Sequence, residues 1–308
     1  MKCEQNRLFG LKIIFVKRHN FGTFVGFIHN EQSELKKYLS FIKIEHTLFS
    51  LPMIYSGVFL ASKERPSTLL LILVLVAAVG ARLVAITLNR IIDRKIDHHN
   101  PRTINRELPS GKLNLKQSYG VLLVGLALYL VSAKMISDFC FYLAPIPLIV
   151  FVVYPYLKRF TPLAHFGVGM GLAMGPLGGF FAVTGSIDRF GIALLLPLFN
   201  LFWATGFDII YSTLDEQFDK KAGLYSFPSR FGKVRALQIS GLLHILAFFV
   251  LVALVIISLK ALIALPFLLL SGFLLWLEQH KAEDVELAFF KINIVVGFSI
   301  LVMILVSV

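Results

Sequence analysis

Residues 68–97 read TLLLILVLVAAVGARLVAITLNRIIDRKID, an apolar run that ends in regularly spaced polar side chains. A helix that crosses the hydrocarbon core of a bilayer needs about 20 mostly apolar residues, and the first part of this stretch supplies them. Asn89, Asp93 and Asp97 then follow at intervals of four, which places them on one face of a helix. The stretch therefore predicts a membrane-spanning helix with a polar stripe at one end.

The whole chain has the composition of a membrane protein. Of its 308 residues, 57% are hydrophobic and 16% are charged, and the mean hydropathy is +0.78. A soluble domain usually carries about 25% charged residues, so a soluble protein this apolar would lack the polar side chains to cover its surface. The two cysteines, Cys3 and Cys140, are too few for a disulfide framework.

Nine apolar runs are long enough, or nearly long enough, to be read as spans. They are residues 46–62, 67–91, 116–133, 137–157, 163–184, 190–211, 236–258, 260–277 and 287–307. The pattern predicts an all-α polytopic membrane protein. The first run is short and contains Pro52, and only Ser258 and Lys260 separate the seventh run from the eighth.

The basic residues are distributed unevenly about these spans. Of the 30 Lys and Arg residues, 24 lie on the side that holds the N-terminal segment and the loops after spans two, four, six and eight, whereas 5 lie on the other side and Arg82 lies within a span. The positive-inside rule then predicts a cytoplasmic N-terminus and an external C-terminus. The net charge of +12 lies in the gaps between apolar runs rather than in a separate basic domain. This pattern favours lipid headgroups and an anionic substrate as partners, and no nucleic acid.

Residues 1–40 are basic and are interrupted by polar residues. They have no clean apolar core and no small-residue cleavage site, so we do not predict a signal peptide. We interpret them as an interfacial or disordered extension, although a start codon assigned too far upstream would give the same pattern. Residues 41–308 would then form the nine-helix transmembrane domain.

A second polar stripe lies at the end of the sixth span. Asp208, Tyr211, Asp215 and Asp219 are spaced three, four and four apart, so they also share one helical face. Spans two and six end on the same predicted cytoplasmic side. We call Asn89, Asp93 and Asp97 the first stripe and these four residues the second stripe, and we expect the two to face each other.

Carboxylates at the edge of a bilayer are costly and are usually functional, and two facing sets repel unless a cation lies between them. A ligand set made only of oxygens favours Mg²⁺, which typically binds one or two carboxylates together with substrate phosphates. The sequence therefore predicts a Mg²⁺-diphosphate site. Candidate cations for the diphosphate are Arg94, Arg102, Lys158, Arg159 and Lys220.

Each feature has an ordinary structural reading when it is taken alone. A single Asp at a helix end is usually a solvated cap, Tyr211 suits an interfacial aromatic belt, and Arg82 would snorkel or pair with a neighbour. Lys158 and Arg159 resemble an ordinary positive-inside anchor. A glycine-rich run in the fifth span favours close helix packing: Gly167, Gly169, Gly171, Gly175, Gly178 and Gly179.

The two stripes together resemble the two signature motifs of the UbiA superfamily of membrane prenyltransferases. The resemblance covers nearly the whole chain from Glu45 onward. It includes, in order, residues 45–47 (EHT), 100–103 (NPRT), 106–111 (RELPSG), 154–161 (YPYLKRFT), 223–226 (GLYS) and 230–232 (RFG).

The resemblance implies a ring of nine helices around a central cavity, with the acidic motifs under a cytoplasmic cap. It implies that Asp93 and Asp97 bind one Mg²⁺ with help from Asn89. Asp215 and Asp219 would bind a second Mg²⁺.

The resemblance also implies the reaction, which is ionisation of an allylic polyprenyl diphosphate followed by attack from a ring carbon of an aromatic acceptor. Lys158 and Arg159 match basic residues that contact diphosphate. Arg82 and Tyr211 match polar residues near the reaction centre, and Asp208 opens the second motif and would bind substrate.

One position departs from a common form of the first motif. Many members that prenylate 4-hydroxybenzoate read Asn-Asp, whereas this chain reads Asn89-Arg90. That form resembles a subgroup that is assigned to menaquinone biosynthesis on a dihydroxynaphthoate, so 4-hydroxybenzoate and 1,4-dihydroxy-6-naphthoate both stay open as the aromatic acid acceptor. Other open readings are haem O, chlorophyll or lipid prenyltransferases, a secondary transporter, and a non-catalytic membrane scaffold.

Overall fold

The structure is a computed structural model that describes residues 37–42 and 47–308. Residues 1–36 and 43–46 lie outside the described part, and with them most of the predicted extension at 1–40. The side chains of the quoted 45–47 segment also lie outside it. The helices given below belong to the unit formed by residues 41–308.

Helices follow one another along the chain, and no strand occurs within the described ranges. The first half contains α1 (Thr47–Ala61), α2 (Thr68–His99), α3 (Leu115–Ile136), α4 (Asp138–Leu143), α5 (Pro145–Leu157) and α6 (Ala164–Thr184). The second half contains α7 (Phe190–Ala193), α8 (Leu195–Ser212), a 3-10 turn (Thr213–Asp215), α9 (Glu216–Ala222), α10 (Phe227–Phe231), α11 (Lys233–Ser258), α12 (Ala261–His280), a π-helical segment (Leu287–Ile292) and α13 (Asn293–Ser307).

Eight of the nine predicted spans are present as helical stretches that are long and apolar enough to cross a membrane, counted over the described residues. Three of these stretches consist of consecutive segments: Asp138–Leu157 (α4 and α5), Phe190–Ala222 (α7 to α9) and Leu287–Ser307 (the π-helical segment and α13). The first predicted span is present only as the shorter helix α1, which has 15 residues and contains Pro52. The prediction of an all-α polytopic membrane fold is therefore confirmed, with eight span-length helices and one shorter apolar helix.

The helix boundaries follow local capping signals. The Ser67 side chain accepts a hydrogen bond from the Leu70 amide and begins α2, and Asn114 forms a capping box with Gln117 that begins α3. Gly185 ends α6 and Gly223 ends α9, both in the left-handed conformation that glycine adopts without strain. Side-chain caps and left-handed glycines thus determine where these helices begin and end.

Helices α1 and α6 approach each other backbone to backbone. A Cβ atom on Gly57 would lie 2.0 Å from the Pro176 carbonyl oxygen, and one on Gly179 would lie 2.2 Å from the Ile54 carbonyl oxygen. Small residues allow such contact between membrane helices, where no hydrophobic effect drives helices together. Part of the predicted glycine-rich run thus mediates helix packing.

Polar side chains connect the later helices inside the bundle. Trp203 Nε1 on α8 donates to Asn293 Oδ1 on α13 at 2.8 Å, and Asn293 Nδ2 donates to Glu278 Oε1 on α12 at 3.0 Å. Hydrogen bonds of this kind hold membrane helices in register. The outer surface is apolar instead, with Ile256 74% exposed and Leu262 86% exposed, as expected of side chains that face lipid.

Candidate active site

The two stripes lie at the same end of the bundle and are joined by the segment that follows α2. Asn100 Nδ2 donates to Asp215 Oδ1 at 2.9 Å, and Arg102 Nε donates to the same oxygen at 2.8 Å. Residues just beyond the first stripe therefore hold the second stripe. Asp93 and Asp215 therefore lie at one end of the bundle, and this placement allows them to share a ligand.

The first stripe is nearly buried on the final turns of α2. Asn89 Nδ2 donates to Asp93 Oδ2 at 3.0 Å, one helical turn away, and Lys158 Nζ approaches the same oxygen to 2.6 Å. Arg159 Nη2 lies 3.8 Å from Asp93 Oδ1. Asp93 is only 2% exposed, so its charge depends on these cations.

Asp97 lies one turn beyond Asp93 and is buried as well. Arg106 Nη1 lies 3.0 Å from each of its two carboxylate oxygens. Thr103 also donates to the backbone carbonyl of Asp97 at 3.1 Å. The loop after α2 therefore folds back over the first stripe and supplies the cation that balances it.

The spacing of the second stripe predicts one continuous α-helix, but the structure breaks the stripe into three segments. Asp208 and Tyr211 belong to α8, Asp215 lies in the 3-10 turn and Asp219 lies in α9. At the break, Ser212 Oγ donates to the Ile209 carbonyl and Thr213 Oγ1 donates to the Ile210 carbonyl, both at 2.7 Å. Such hydroxyl groups compete with the helical hydrogen bonds, and a 3-10 turn is wound more tightly than an α-helix.

Arg102 connects the parts of the second stripe. Its guanidinium donates to both oxygens of Asp215, donates to Tyr211 Oη at 2.6 Å, and lies 4.8 Å from the centroid of the Tyr211 ring. Burial would lower the pKa of Arg102, but the hydrogen bonds and charges of Asp215 and Tyr211 raise it, and the net pKa lies above its ordinary value. Arg102 is thus a permanent cation at the site.

The carboxylates fit a divalent cation that also binds substrate. In the part of the chain that the structure describes, no group of three His, Cys, Asp or Glu side chains already forms a metal cage. Mg²⁺ commonly takes only one or two carboxylates and completes its shell with phosphate oxygens and water. Asp93 Oδ1 is buried and has no hydrogen-bond partner there, which leaves an oxygen available to a cation.

A cavity of about 640 Å³ lies among the helices. Its polar end is lined by Arg82, Asn89, Arg90, Arg106, Tyr154 and Asp208. The small side chains of α2 and the glycines of α6 form much of the apolar wall, at Ala77, Ala78, Ala81, Ala85, Gly171, Gly175 and Gly178. The far end is lined by Phe181 near the end of α6, Ile187 in the loop that follows and Phe190 at the start of α7. The cavity thus extends from a charged mouth into an apolar interior.

Two of the predicted diphosphate-binding cations lie elsewhere. Arg94 Nη1 donates to the Ile91 carbonyl of its own helix at 2.9 Å, and its side chain lines a separate hollow beside Lys95. Lys220 pairs with Glu216 at 2.6 Å, one turn away on the exposed side of α9. The sequence does not show which basic residues near a stripe point toward it, because successive side chains on a helix project in different directions.

The structure adds residues that the sequence did not single out as site residues. Tyr154 and Arg90 line the polar end of the cavity. His165 Nδ1 lies 2.7 Å from Asp208 Oδ2, and the Phe227 amide donates to His165 Nε2 at 3.4 Å. The latter bond assigns the proton to Nδ1, so that a neutral His165 donates to Asp208. Arg90 was noted only as a departure from the motif, and His165 lies within an apolar run where no sequence signal marks it.

Comparisons with known proteins agree with this geometry. The model of the UbiA prenyltransferase family matches residues 50–295. The 4-hydroxybenzoate octaprenyltransferase of Legionella pneumophila (strain Paris) is 30% identical over 187 residues, which cover 61% of this chain and 66% of that protein. The chain thus spans slightly less than two thirds of that relative. The enzyme of the same name from Aliivibrio salmonicida is 27% identical over 274 residues, 86% of this chain and 95% of that one.

Solved structures show the same fold. The apo structure of a UbiA homologue from Aeropyrum pernix K1 superposes with a TM-score of 0.76 at 33% identity, over 85% of this chain and 98% of that chain. A UbiA homologue from Archaeoglobus fulgidus bound to DMAPP and Mg²⁺ has a TM-score of 0.67 at 18% identity, over 86% of this chain and 99% of that chain. With its two joined acidic stripes and its apolar cavity, the chain belongs to the UbiA prenyltransferase family.

Proposed function

We propose that the protein transfers a polyprenyl group from polyprenyl diphosphate to an aromatic acid in a Mg²⁺-dependent reaction of quinone biosynthesis. The observation that carries this proposal is the junction of two carboxylate stripes, each paired with cations, beside an apolar cavity. A diphosphate and its metal suit the charged junction, and an isoprenoid chain suits the apolar interior. The names of the Legionella and Aliivibrio relatives support an aromatic acid as the acceptor class.

The charged junction would bind the leaving group. Asp93 and Asp97 on one side and Asp215 and Asp219 on the other are the residues that would hold Mg²⁺, which neutralises the diphosphate when bound. Support comes from the Archaeoglobus homologues bound to DMAPP or GPP with Mg²⁺.

The chain's own cations would bind the diphosphate oxygens. Lys158, Arg159 and Arg102 already lie on the carboxylates, within 4.0 Å in each case. They would exchange these carboxylates for phosphate oxygens as substrate enters, so that the site keeps its charge balance. Their positive charge then stabilises the diphosphate as its bond to carbon breaks.

The apolar cavity would protect the reactive carbon. Its wall of alanine, glycine and aromatic side chains keeps water away from an allylic cation, which water would otherwise capture. Arg82, Tyr211 and Asp208 lie at or next to its polar end, where the acceptor ring would meet this carbon. This arrangement favours a transferase over a secondary transporter, because the acidic groups lie at one end of the bundle rather than at mid-depth.

We further propose that the site faces the cytoplasm in the cytoplasmic (inner) membrane. The support is the distribution of basic residues, since the stripes lie on the side that carries most of them. Both 4-hydroxybenzoate and 1,4-dihydroxy-6-naphthoate fit this aromatic acid class, which corresponds to ubiquinone and menaquinone biosynthesis respectively.

The test is an assay on purified protein in liposomes with geranyl diphosphate, Mg²⁺ and one of the two acceptors, followed by mass spectrometry. We expect one acceptor to gain the mass of the geranyl group. Chelation by EDTA should abolish the product, and excess Mg²⁺ should restore it. Absence of any prenylated product with either acceptor, from protein that is monodisperse in detergent, would contradict the proposal.

We expect His165 to act as a positioning residue for Asp208. His165→Leu removes the donor to a carboxylate, so prenyl transfer should fall by about tenfold or more. His165→Asn keeps an N–H group near the position of Nδ1 and should recover most of the activity. The exposed His98→Leu variant is the control. A purely structural role is contradicted if His165→Leu raises the KM of the acceptor while the melting temperature stays unchanged.

A further inference from the structure

Arg90 is a buried cation at the polar end of the cavity. It is 5% exposed, and its Nη1 atom has no hydrogen-bond partner among residues 37–42 and 47–308. No carboxylate of those residues lies within ion-pairing distance of it, whereas Lys158 and Arg102 both have such partners. A buried charge without a partner is strongly destabilising. Its presence beside a cavity therefore indicates a site for an anion.

The surrounding charges strengthen this argument. Arg106 lines the same end of the cavity, but its Nη1 is already bonded to Asp97. Asp97, Glu107 and Tyr211 are close enough to act on Arg90 electrostatically, but none of them forms an ion pair with it. Arg90 and Arg106 thus lie together at this end of the cavity, and of these two only Arg106 is paired with a carboxylate.

The contacts of Arg90 favour an anion other than the diphosphate. Arg90 lies between Asn89 and Asp93 on α2, yet it forms no ion pair with the stripe carboxylates. Lys158, Arg159 and Arg102 instead lie on those carboxylates, where the metal and the diphosphate would bind. A second anionic group of the substrates would therefore meet Arg90 inside the cavity.

We propose that Arg90 binds the carboxylate of the aromatic acceptor and so selects acids as acceptors. A planar guanidinium matches the two oxygens of a carboxylate, whereas an uncharged ester matches it poorly. The acceptor ring would then be fixed between Arg90 and the allylic carbon. This inference rests on the proposed function, because it takes an aromatic acid as the acceptor class.

The experiment compares an acid with its methyl ester. 4-Hydroxybenzoate and methyl 4-hydroxybenzoate are assayed with geranyl diphosphate against the wild type, Arg90→Met and Arg90→Lys, with the exposed Lys95→Met on the same helix as control. We expect Arg90→Met to lower kcat/KM for the acid about 30-fold or more while changing that for the ester about twofold or less. The KM of geranyl diphosphate should not change, and Arg90→Lys should recover part of the preference.

Binding of the acid alone, measured by calorimetry without prenyl diphosphate, provides a test that does not need turnover. The wild type should bind the acid more tightly than the ester, and Arg90→Met should abolish the difference. Equal loss for acid and ester with a raised KM for geranyl diphosphate would overturn the inference and assign Arg90 to the diphosphate. If the wild type binds neither compound, the inference is overturned as well. If Arg90→Met still transfers the prenyl group and keeps the wild-type preference for the acid, the inference is overturned but the proposed function stands.

Discussion

Replacement of Asp93 by Asn is expected to lower prenyl transfer by about 10²-fold or more. Asn keeps the shape of the side chain but removes the charge that faces Lys158 at 2.6 Å and that would hold the divalent cation. Losing one preorganised electrostatic contact to the leaving group commonly costs about 3–4 kcal/mol of transition-state stabilisation. The measurement is kcat/KM for geranyl diphosphate at saturating acceptor and Mg²⁺.

The matched control is Asp138→Asn. Asp138 also pairs with a lysine, Lys134, but this pair is exposed at the junction of α3 and α4, away from the stripes. An exposed pair contributes little to stability, so activity and expression should stay near the wild-type values. Equal activity in Asp93→Asn and Asp138→Asn would contradict the role assigned to Asp93.

Asp215 should behave as part of the same unit. If both stripes bind one diphosphate, Asp215→Asn alone should reduce activity strongly, and the Asp93→Asn/Asp215→Asn double variant should lose less than the product of the two single effects. Independent sites would give multiplicative losses instead. Full activity in the double variant would refute the metal-diphosphate site itself.

The spans and stripes were predictable because both depend only on residues that are close together in the sequence. Apolar length determines where a helix can cross the bilayer, and intervals of four place side chains on one face. The end of α2 needed both signals: the predicted span ends at residue 91, whereas the spacing of Asn89, Asp93 and Asp97 predicts that the helix continues, and it ends at His99. Hydropathy marks where the apolar region ends, whereas the helix continues for as long as its backbone hydrogen bonds do.

Long-range partners were not predictable in the same way. Asn100 and Arg102 reach Asp215 across more than 100 residues of chain, and the bond of His165 to Asp208 joins α6 to α8. These contacts depend on how helices pack, which no single helix encodes. The break at Ser212 and Thr213 is local, but hydroxyl groups at helix ends do not always displace a helical bond, so the 3-10 turn was not expected.

A bulky side chain in the cavity wall should decide which prenyl chains are accepted. Ala81 lies on α2 between Val74 and Asn89, which are separated by about 22 Å of helix rise, and all three line the cavity. Gly175 and Gly178 of α6 also line the cavity, and a Cβ atom on Gly178 would have no neighbour within 4 Å. Phenylalanine at this position would fill the passage between the charged end and the apolar far end.

Ala81→Phe is therefore expected to lower kcat/KM for a long polyprenyl diphosphate about 10²-fold relative to that for dimethylallyl diphosphate. The short substrate needs only the charged end and the first part of the cavity, whereas the long chain must pass residue 81 to seat its diphosphate. Ala127→Phe, on the exposed face of α3, adds the same bulk toward lipid and should leave the ratio unchanged. An unchanged ratio in Ala81→Phe would mean that the prenyl chain leaves the site by another route, directly into the bilayer, and that the cavity houses the acceptor alone.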